Sequence, residues 1–456
     1  MDLTLAMGLD IGTTTICAIV LDALTGEILE TITEQNNARI ESQYSWEQQQ
    51  NAALISEQVK KVVDELMMKY ASISCIGITG QMHGIVYLDE EGNAVSPLVS
   101  WQDERGNLHY KEGLSYAEYL TKITGYKLAT GFGAVTHFYN TMNKLIPDSA
   151  KYFCTIMDYI AMKLSNTTKP LIHPSNAASI GLFDLRTNCF DKEAIGKANM
   201  DTKFFSAISA DKYTLGTTKL GIPVMVAIGD NQASFIGSVR NNEEDLLINI
   251  GTSSQISVLT HTFNKDSKVE TRPLVEDDFI LVGSPLCGGR AYAILESFFR
   301  QVVQMATGKE SSKLYSNMEG LICDFLQVEN PLLIETKFAG TRDNPALRGT
   351  INNLSLDNFT PRHFTIGVLQ GMARELHTLY QMMKSEQAIT PTRMIGSGNG
   401  LRMNKSLQQI ISQTFDMPLY IPVHKEEASY GVALWALVGI NFFSSIQEAQ
   451  HLIQYE

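Results

Sequence analysis

At 456 residues the chain is too long for one ordinary core, so two domains are expected. Charged residues make up 19% and apolar ones 44%, the balance of a folded globular protein, and the net charge of −13 argues against nucleic acid or an anionic membrane surface as the main partner. No apolar run reaches the length of a membrane span and no signal-peptide pattern is read at the N-terminus. Six well-separated cysteines without CxxC spacing (Cys17, Cys75, Cys154, Cys189, Cys287, Cys323) fit buried free thiols in a reducing cytoplasm.

Residues 4–21 alternate as a strand, a tight turn and a second strand around "DIGTTT" at 10–15, and "GEILETITE" continues the sheet. Within 45–69, Ile55, Val59, Val62 and Leu66 recur at helical spacing. "SCIGITG" is a short buried strand entering "QMHG", and a second hairpin over 85–101 is turned at Glu91-Gly92-Asn93. Residues 114–165 are mainly helical, broken by "TGYKLATGFG", and 222–230, "IPVMVAIGD", is a buried strand ending at Gly-Asp. A hairpin starting near 246 then carries "INIGTSSQISVL", so Asp10-Ile11-Gly12-Thr13-Thr14-Thr15 is echoed by Asn249-Ile250-Gly251-Thr252-Ser253-Ser254. Two copies predict two related α/β domains, 1–245 and 246–456, joined by the polar "RNNEED". Later come a helix over 364–384, a strand "RMIGSGNG" running into a helix near 404–415, and a last helix over 426–439.

Gly-cornered turns of this kind can bring backbone N–H groups and hydroxyls onto a phosphate chain, one from each half. Asp10 suits Mg²⁺, which takes one or two protein oxygens and keeps its waters. An Asp capping a turn is the bland alternative; the repeat, in which one copy alone keeps the acid, favours the metal. Gln81 and His83 offer donors and acceptors to a polyol in a glycine-bounded loop. In "SWQDERG" a solvated turn with an internal ion pair is the plain alternative, kept for Glu104, while Trp101 and Asp103 are expected to offer a stacking face and a carboxylate to a sugar. Asp230 lies just past a strand's C-terminal end, where α/β ligands gather, and suits a general base; a helix N-cap competes. The Gly-rich turn at 395–404 allows a base or ribose to approach the backbone.

In order along the whole chain, "DIGTTT", "GQMHG", "WQDER", "GDNQAS", "NIGTSS", "GSGNGLRMN" and "EEASYGVALWAL" resemble the FGGY carbohydrate kinases of the actin/hexokinase/Hsp70-like superfamily. The resemblance implies an α/β fold of two ribonuclease H-like domains with a nucleotide and sugar cleft between them. Residues 1–245 would bind sugar and carry the base, and 246–456 would bind adenosine. It implies ATP and Mg²⁺ as cofactors, Asp230 as the base and Asp10 as the metal-holding acid. Gly12, Thr13, Thr14, Gly251 and Thr252 match the phosphate turns. Gln81, Met82, His83, Asp103 and Asn231 match sugar-contacting positions, and Gly398, Asn399 and Asn404 the adenosine site. Within the family, "SWQDERG", "ATGFGAVTHFY" and "PSNAASIGLFD" lean toward members acting on sedoheptulose, giving the 7-phosphate, with D-xylulose second. The chain departs from the family at Cys17, where a Lys is common, and at Ser397-Gly398-Asn399-Gly400. The 338–349 segment, with Arg342 and Pro345, is given a structural role. An actin- or chaperone-like ATPase and a non-catalytic sugar sensor are the rival classes. A homodimer is expected because two-fold assemblies are common.

Overall fold

The computed structural model describes residues 4–209, 213–263, 269–322, 328–341, 344, 346–387 and 389–456; Cys323, Arg342 and Pro345 lie outside the described residues. Leu5–Ile11 (β1) and Thr15–Asp22 (β2) form the expected antiparallel hairpin, Asp10 opposite Cys17, and Ile28–Gln35 (β3) pairs with β2. β1 is buried on both faces because it is central, whereas β3 alternates half-buried and exposed, as an edge strand with one solvated face must. The helix Ala52–Lys69 (α1) starts where the Asn51 side chain accepts from the Leu54 N–H, and it buries Ile55, Val59, Val62 and Leu66. Ile73–Gly80 (β4) then runs parallel to β1.

The remaining parts of this first sheet are Thr214–Thr217 (β5) and Pro223–Met225 (β6), giving the order β5-β6-β4-β1-β2-β3. Between β4 and β5 in the chain, Ile156–Ser165 (α2) and Pro174–Ile180 (α3) matter below. The 85–101 hairpin turns at Gly92 as expected. Its arms, however, join different sheets: Val86–Leu88 pairs with Tyr152–Cys154, and Leu98–Val99 pairs with Gln49–Gln50. The ladder of β6 ends at Met225, earlier than the expected strand over 222–230, and the helix Asp230–Ser238 (α4) begins after a buried extended run.

The second sheet is built from Asp245–Ile250 (β7), Ser254–Thr260 (β8), Glu270–Pro273 (β9), Phe279–Gly283 (β10), Arg393–Ser397 (β11) and Leu419–Tyr420 (β12), in the order β9-β10-β8-β7-β11-β12. β7 is antiparallel to β8 and parallel to β11, as β1 is antiparallel to β2 and parallel to β4. The repeat seen in the sequence is thus a repeat of strand order and direction. Its sheet is flanked by Gly288–Thr307 (α5), Pro361–Glu386 (α6) and Lys405–Phe415 (α7).

The chain forms two compact units. One comprises the residues up to Arg240 together with Pro273–Asp277 and Glu426–Ile453; the other comprises Asn241–Arg272, Asp278–Lys425 and Gln454–Glu456. A single cut at 245 therefore leaves out a return: the last long helix, Glu427–Gly439 (α8), packs in the first unit. It is apolar all round because it is buried there, and it lies so close to the sheet that a Cβ on Gly77 would sit 1.8 Å from Val432 O. That close fit is what ties it to β4 rather than to its sequence neighbours.

Candidate functional site

In the first unit Asp10, the penultimate residue of β1, Gln81, just past β4, and Asp230, beyond the buried run that extends β6, lie at the carboxyl ends of three neighbouring strands that run parallel. The turn after β1 holds its acceptors inward. Asn36 Nδ2 donates to Gly12 O (2.9 Å), Gln50 Nε2 to Thr13 O (2.8 Å) and Asn36 N to Thr14 O (2.8 Å), while Thr14 is exposed. Thr13 Oγ1 donates to Gln81 Oε1 (3.2 Å) and accepts from Trp101 Nε1 (2.9 Å); Gln81 Nε2 donates to Gln50 Oε1 (2.7 Å). "DIGTTT", "GQMHG" and "SWQDERG" are therefore one hydrogen-bonded cluster. Trp101 is 46% exposed, and Met82 packs against Gly229.

His83 has φ of 71°, an uncommon conformation for a residue with a Cβ, and is fixed from α3. Its backbone N–H donates to Ser179 Oγ (3.3 Å), and Nδ1 lies 2.7 Å from Ser179 O. A carbonyl only accepts, so Nδ1 carries the proton and Nε2 is the acceptor of the neutral ring.

Burial pushes the Asp10 carboxyl up to about 7, and the charges of Asp230 and then Glu426 add to the effect. Two acids crowding a third fit a divalent cation that takes one or two carboxylates. Among the described residues no group of three or more His, Cys, Asp or Glu is arranged to hold a metal by itself. Cys17, opposite Asp10, is driven up to about 12 by burial and by Glu426, so it adds no cation where a Lys would.

Asp230 is the first residue of α4. Gly229 holds the N-cap position and no side chain caps the helix, so the capping alternative for Asp230 is not what the chain uses. Asn231 Nδ2 donates to Asp230 Oδ1 (2.9 Å), and Asn231 Oδ1 is buried with no partner among the described residues.

Asp103 corrects an expectation. It is 0% exposed, with its carboxylate taken by Arg105 Nε (2.7 Å), Arg105 Nη2 (3.1 Å) and the N–H groups of Gln48 and Arg105. A carboxylate so enclosed braces the Trp101 loop and offers no face to a sugar; the internal ion pair is the side of the alternative that holds.

In the second unit the matching turn exposes Thr252 and Ser253. The start of α5 closes on it, Gly289 N donating to Gly251 O (3.1 Å) and Arg290 N to Thr252 O (2.9 Å). Asn249, the counterpart of Asp10, donates through Nδ2 to Ser397 Oγ (2.9 Å), which explains an amide here. Gly398 has φ of 81°, and a Cβ on it would lie 2.6 Å from Ile250 O, so the Gly-rich turn lies directly on the hydroxyl turn with Asn399 exposed beside it. Asn404 is buried, and its Oδ1 accepts from Leu407 N (2.8 Å) as the N-cap of α7. That oxygen is already used by the helix.

Sequence reasoning gave no site role to Gln50, Thr79, Ser175, Asn176, Ser179, Gly289 or Glu426. The signals available were the polar run "PSNAAS", the "GG" opening α5, and the first acid of "EEASYG".

Models of the FGGY family of carbohydrate kinases match this chain twice, the N-terminal domain over residues 5–237 and the C-terminal domain over 246–440. The chain is 26% identical to sedoheptulokinase of Mus musculus, covering 94% of this chain and 96% of that protein. It is 24% identical to xylulose kinase of Staphylococcus xylosus, covering 97% and 92%. Among solved structures it superposes on xylulose kinase from Rhodospirillum rubrum with a TM-score of 0.84 at 18% identity, covering 99% of this chain and 93% of the other. Gluconate kinase from Lactobacillus acidophilus gives 0.83 at 17%, covering 100% and 93%. Both likenesses establish the two-domain fold, and kinases named for different sugars score alike.

Proposed function

We propose, from the premise that this chain belongs to the FGGY family of carbohydrate kinases, that it transfers the terminal phosphoryl group of ATP to the terminal hydroxyl of a ketose, sedoheptulose first, with D-xylulose the alternative. The observation that carries it is the alignment of Asp10, Gln81 and Asp230 at the carboxyl ends of three adjacent parallel strands. That is where open α/β sheets collect ligands.

In this reading Asp230 accepts the proton of the sugar hydroxyl as its oxygen attacks phosphorus. Asn231 fixes one Asp230 oxygen, and its own orphaned Oδ1 is the kind of buried acceptor that a polyol O–H satisfies. His83, in a set tautomer, accepts from a second hydroxyl, and Trp101 supplies an apolar face. Gly12, Thr13 and Thr14 form the phosphate turn of the first unit, and Gly251 and Thr252 the matching turn of the second. Gly398 and Asn399 receive the adenosine; Asn404 supports them as a helix cap. Asp10 would hold Mg²⁺, directly or through water. When bound, Mg²⁺ neutralises charge on the phosphates and on the group in transfer.

Product formation from ATP with sedoheptulose, D-xylulose, D-ribulose and D-fructose tests the reading. A kcat/KM for sedoheptulose at least about tenfold above the others is expected, since binding differences of 1–3 kcal/mol per group are what such a pocket supplies. Sugar-independent ATP consumption would indicate an ATPase instead, and tight sugar binding without turnover a sensor.

A further inference from the structure

The four residues leading into Asp230 are held in an unusual way. After Met225 the chain leaves the regular ladder but stays fully buried through Gly229. Buried backbone groups must find partners; Val226 N and Ile228 N donate to the backbone carbonyls of Tyr213 and Ile78, and side chains take one group on each of the four residues. Trp435 Nε1 donates to Val226 O (3.1 Å), Asn176 Nδ2 to Ala227 O (3.1 Å) and Thr79 Oγ1 to Ile228 O (2.7 Å). Gly229 N donates to Ser175 Oγ (3.0 Å). Each successive residue is thus fixed by a different side chain.

Those side chains are themselves fixed. Ser175 Oγ lies 2.8 Å from His173 Nδ1, which also accepts from Ser175 N (3.2 Å). Since Nδ1 accepts, the hydroxyl proton points to the ring and the oxygen's acceptor side faces Gly229. Burial holds His173 down to about 3, so the ring stays neutral and this polarity is permanent. Asn176 spends both Nδ2 hydrogens, one on Ala227 O and one on Asp158 Oδ1 (3.0 Å), and a flipped amide would set oxygen against oxygen at both places. Asp158 is in turn held by Thr155 (2.6 Å) at the start of α2. The same short helix α3 grips His83 through Ser179.

We infer that Thr79, Ser175 and Asn176 are positioning residues that aim the Asp230 carboxylate. Ser175 also belongs to the element that sets His83, so one rigid piece fixes the base and the sugar loop together. The inference rests on Asp230 being the base. It explains why "PSNAAS" is polar in a segment that is buried almost throughout.

The test compares Thr79→Val, which keeps shape and removes the hydroxyl, with Thr79→Ser, which keeps the hydroxyl; Ser175→Ala is paired with Ser175→Thr. Turnover is measured per folded molecule, with ATP and whichever of sedoheptulose and D-xylulose the wild-type protein phosphorylates faster. Displacement of a reacting group by about 1 Å can cost on the order of 100-fold. A 10- to 100-fold fall in kcat is therefore expected for Thr79→Val and Ser175→Ala, with KM for ATP within about twofold. Thr79→Ser and Ser175→Thr should recover most of it. A purely structural role would lower the melting temperature and leave kcat per folded molecule intact, and that result overturns the inference. Asp230→Asn, run alongside, separates the two ideas. If it is inactive while Thr79→Val and Ser175→Ala turn over normally, positioning alone fails. If it turns over normally, the base assignment fails and takes the positioning role with it.

Discussion

Replacing Asp10 with Asn should stabilise the protein while abolishing turnover. The Asp10 carboxyl ionises at about 7 instead of its ordinary 3.8, because burial and the charges of Asp230 and Glu426 oppose the anion. At 1.36 kcal/mol per tenfold, that displacement corresponds to roughly 4 kcal/mol against the ionised form. Asp10 is partly exposed, and screening by water reduces the recoverable part to about 2 kcal/mol. The sign follows from proton counting: between pH 3.8 and 7 the folded state binds more protons than the unfolded one, so stability falls as pH rises through that window. The full cost is present above pH 7 and absent below about 4. Asp10→Asn should therefore melt roughly 4 °C higher than the parent at pH 8 in EDTA, and the gap should close as the pH is lowered toward 4. Millimolar Mg²⁺ should narrow it at pH 8, because only the parent gains a counter-charge there. Thermal melts of both proteins at pH 8, 6.5 and 5, with EDTA or Mg²⁺, measure this. An Asn variant no more stable than the parent at pH 8, or a gap that does not change with pH, would refute the electrostatic account.

Asp230→Asn should lower kcat by about 100-fold or more, the usual worth of a general base, while ATP affinity stays near that of the parent and the chain melts no lower; a coupled ADP assay, equilibrium dialysis and a thermal melt decide. Arg105→Leu strands Asp103 in a buried site and should cost about 3–5 kcal/mol in urea unfolding. The double variant Arg105→Leu/Asp103→Leu should regain much of that, and a single variant costing less than 1 kcal/mol would mean water reaches the pair. Gly77→Ala should cost about 3 kcal/mol by forcing α8 off β4, read from the same unfolding curves; a neutral outcome would show that the helix can move away without loss.

How much of this was legible beforehand depended on whether a residue's partners were close in sequence. "DIGTTT" and "NIGTSS" report themselves, because a hairpin is a local object and its turn chemistry lies within six residues. Hydrophobic spacing likewise fixed α1 and its buried face, and the order of seven short motifs fixed the family. Asp103 was misread because its neighbour Arg105 forms an ion pair whose burial is invisible locally; exposure is a property of what lies on top. Asn404, matched to the adenosine site by resemblance, also caps α7 through Oδ1.

The sequence alone determined the two-fold repeat, the kinase family and the identity of the acids that carry charge, since each is written in residue type and short-range spacing. Only the tertiary structure decided that Glu426 and α8 return to the first unit, where Gly77 admits a helix backbone and Glu426 raises the Asp10 carboxyl. It also decided that Thr79, Ser175, Asn176 and Trp435, 149, 54, 51 and 209 residues from their partners, hold the approach to Asp230. Hydrogen bonds and fields act over ångströms, so a group's pKa and its aim are set by neighbours in space, which no local pattern records.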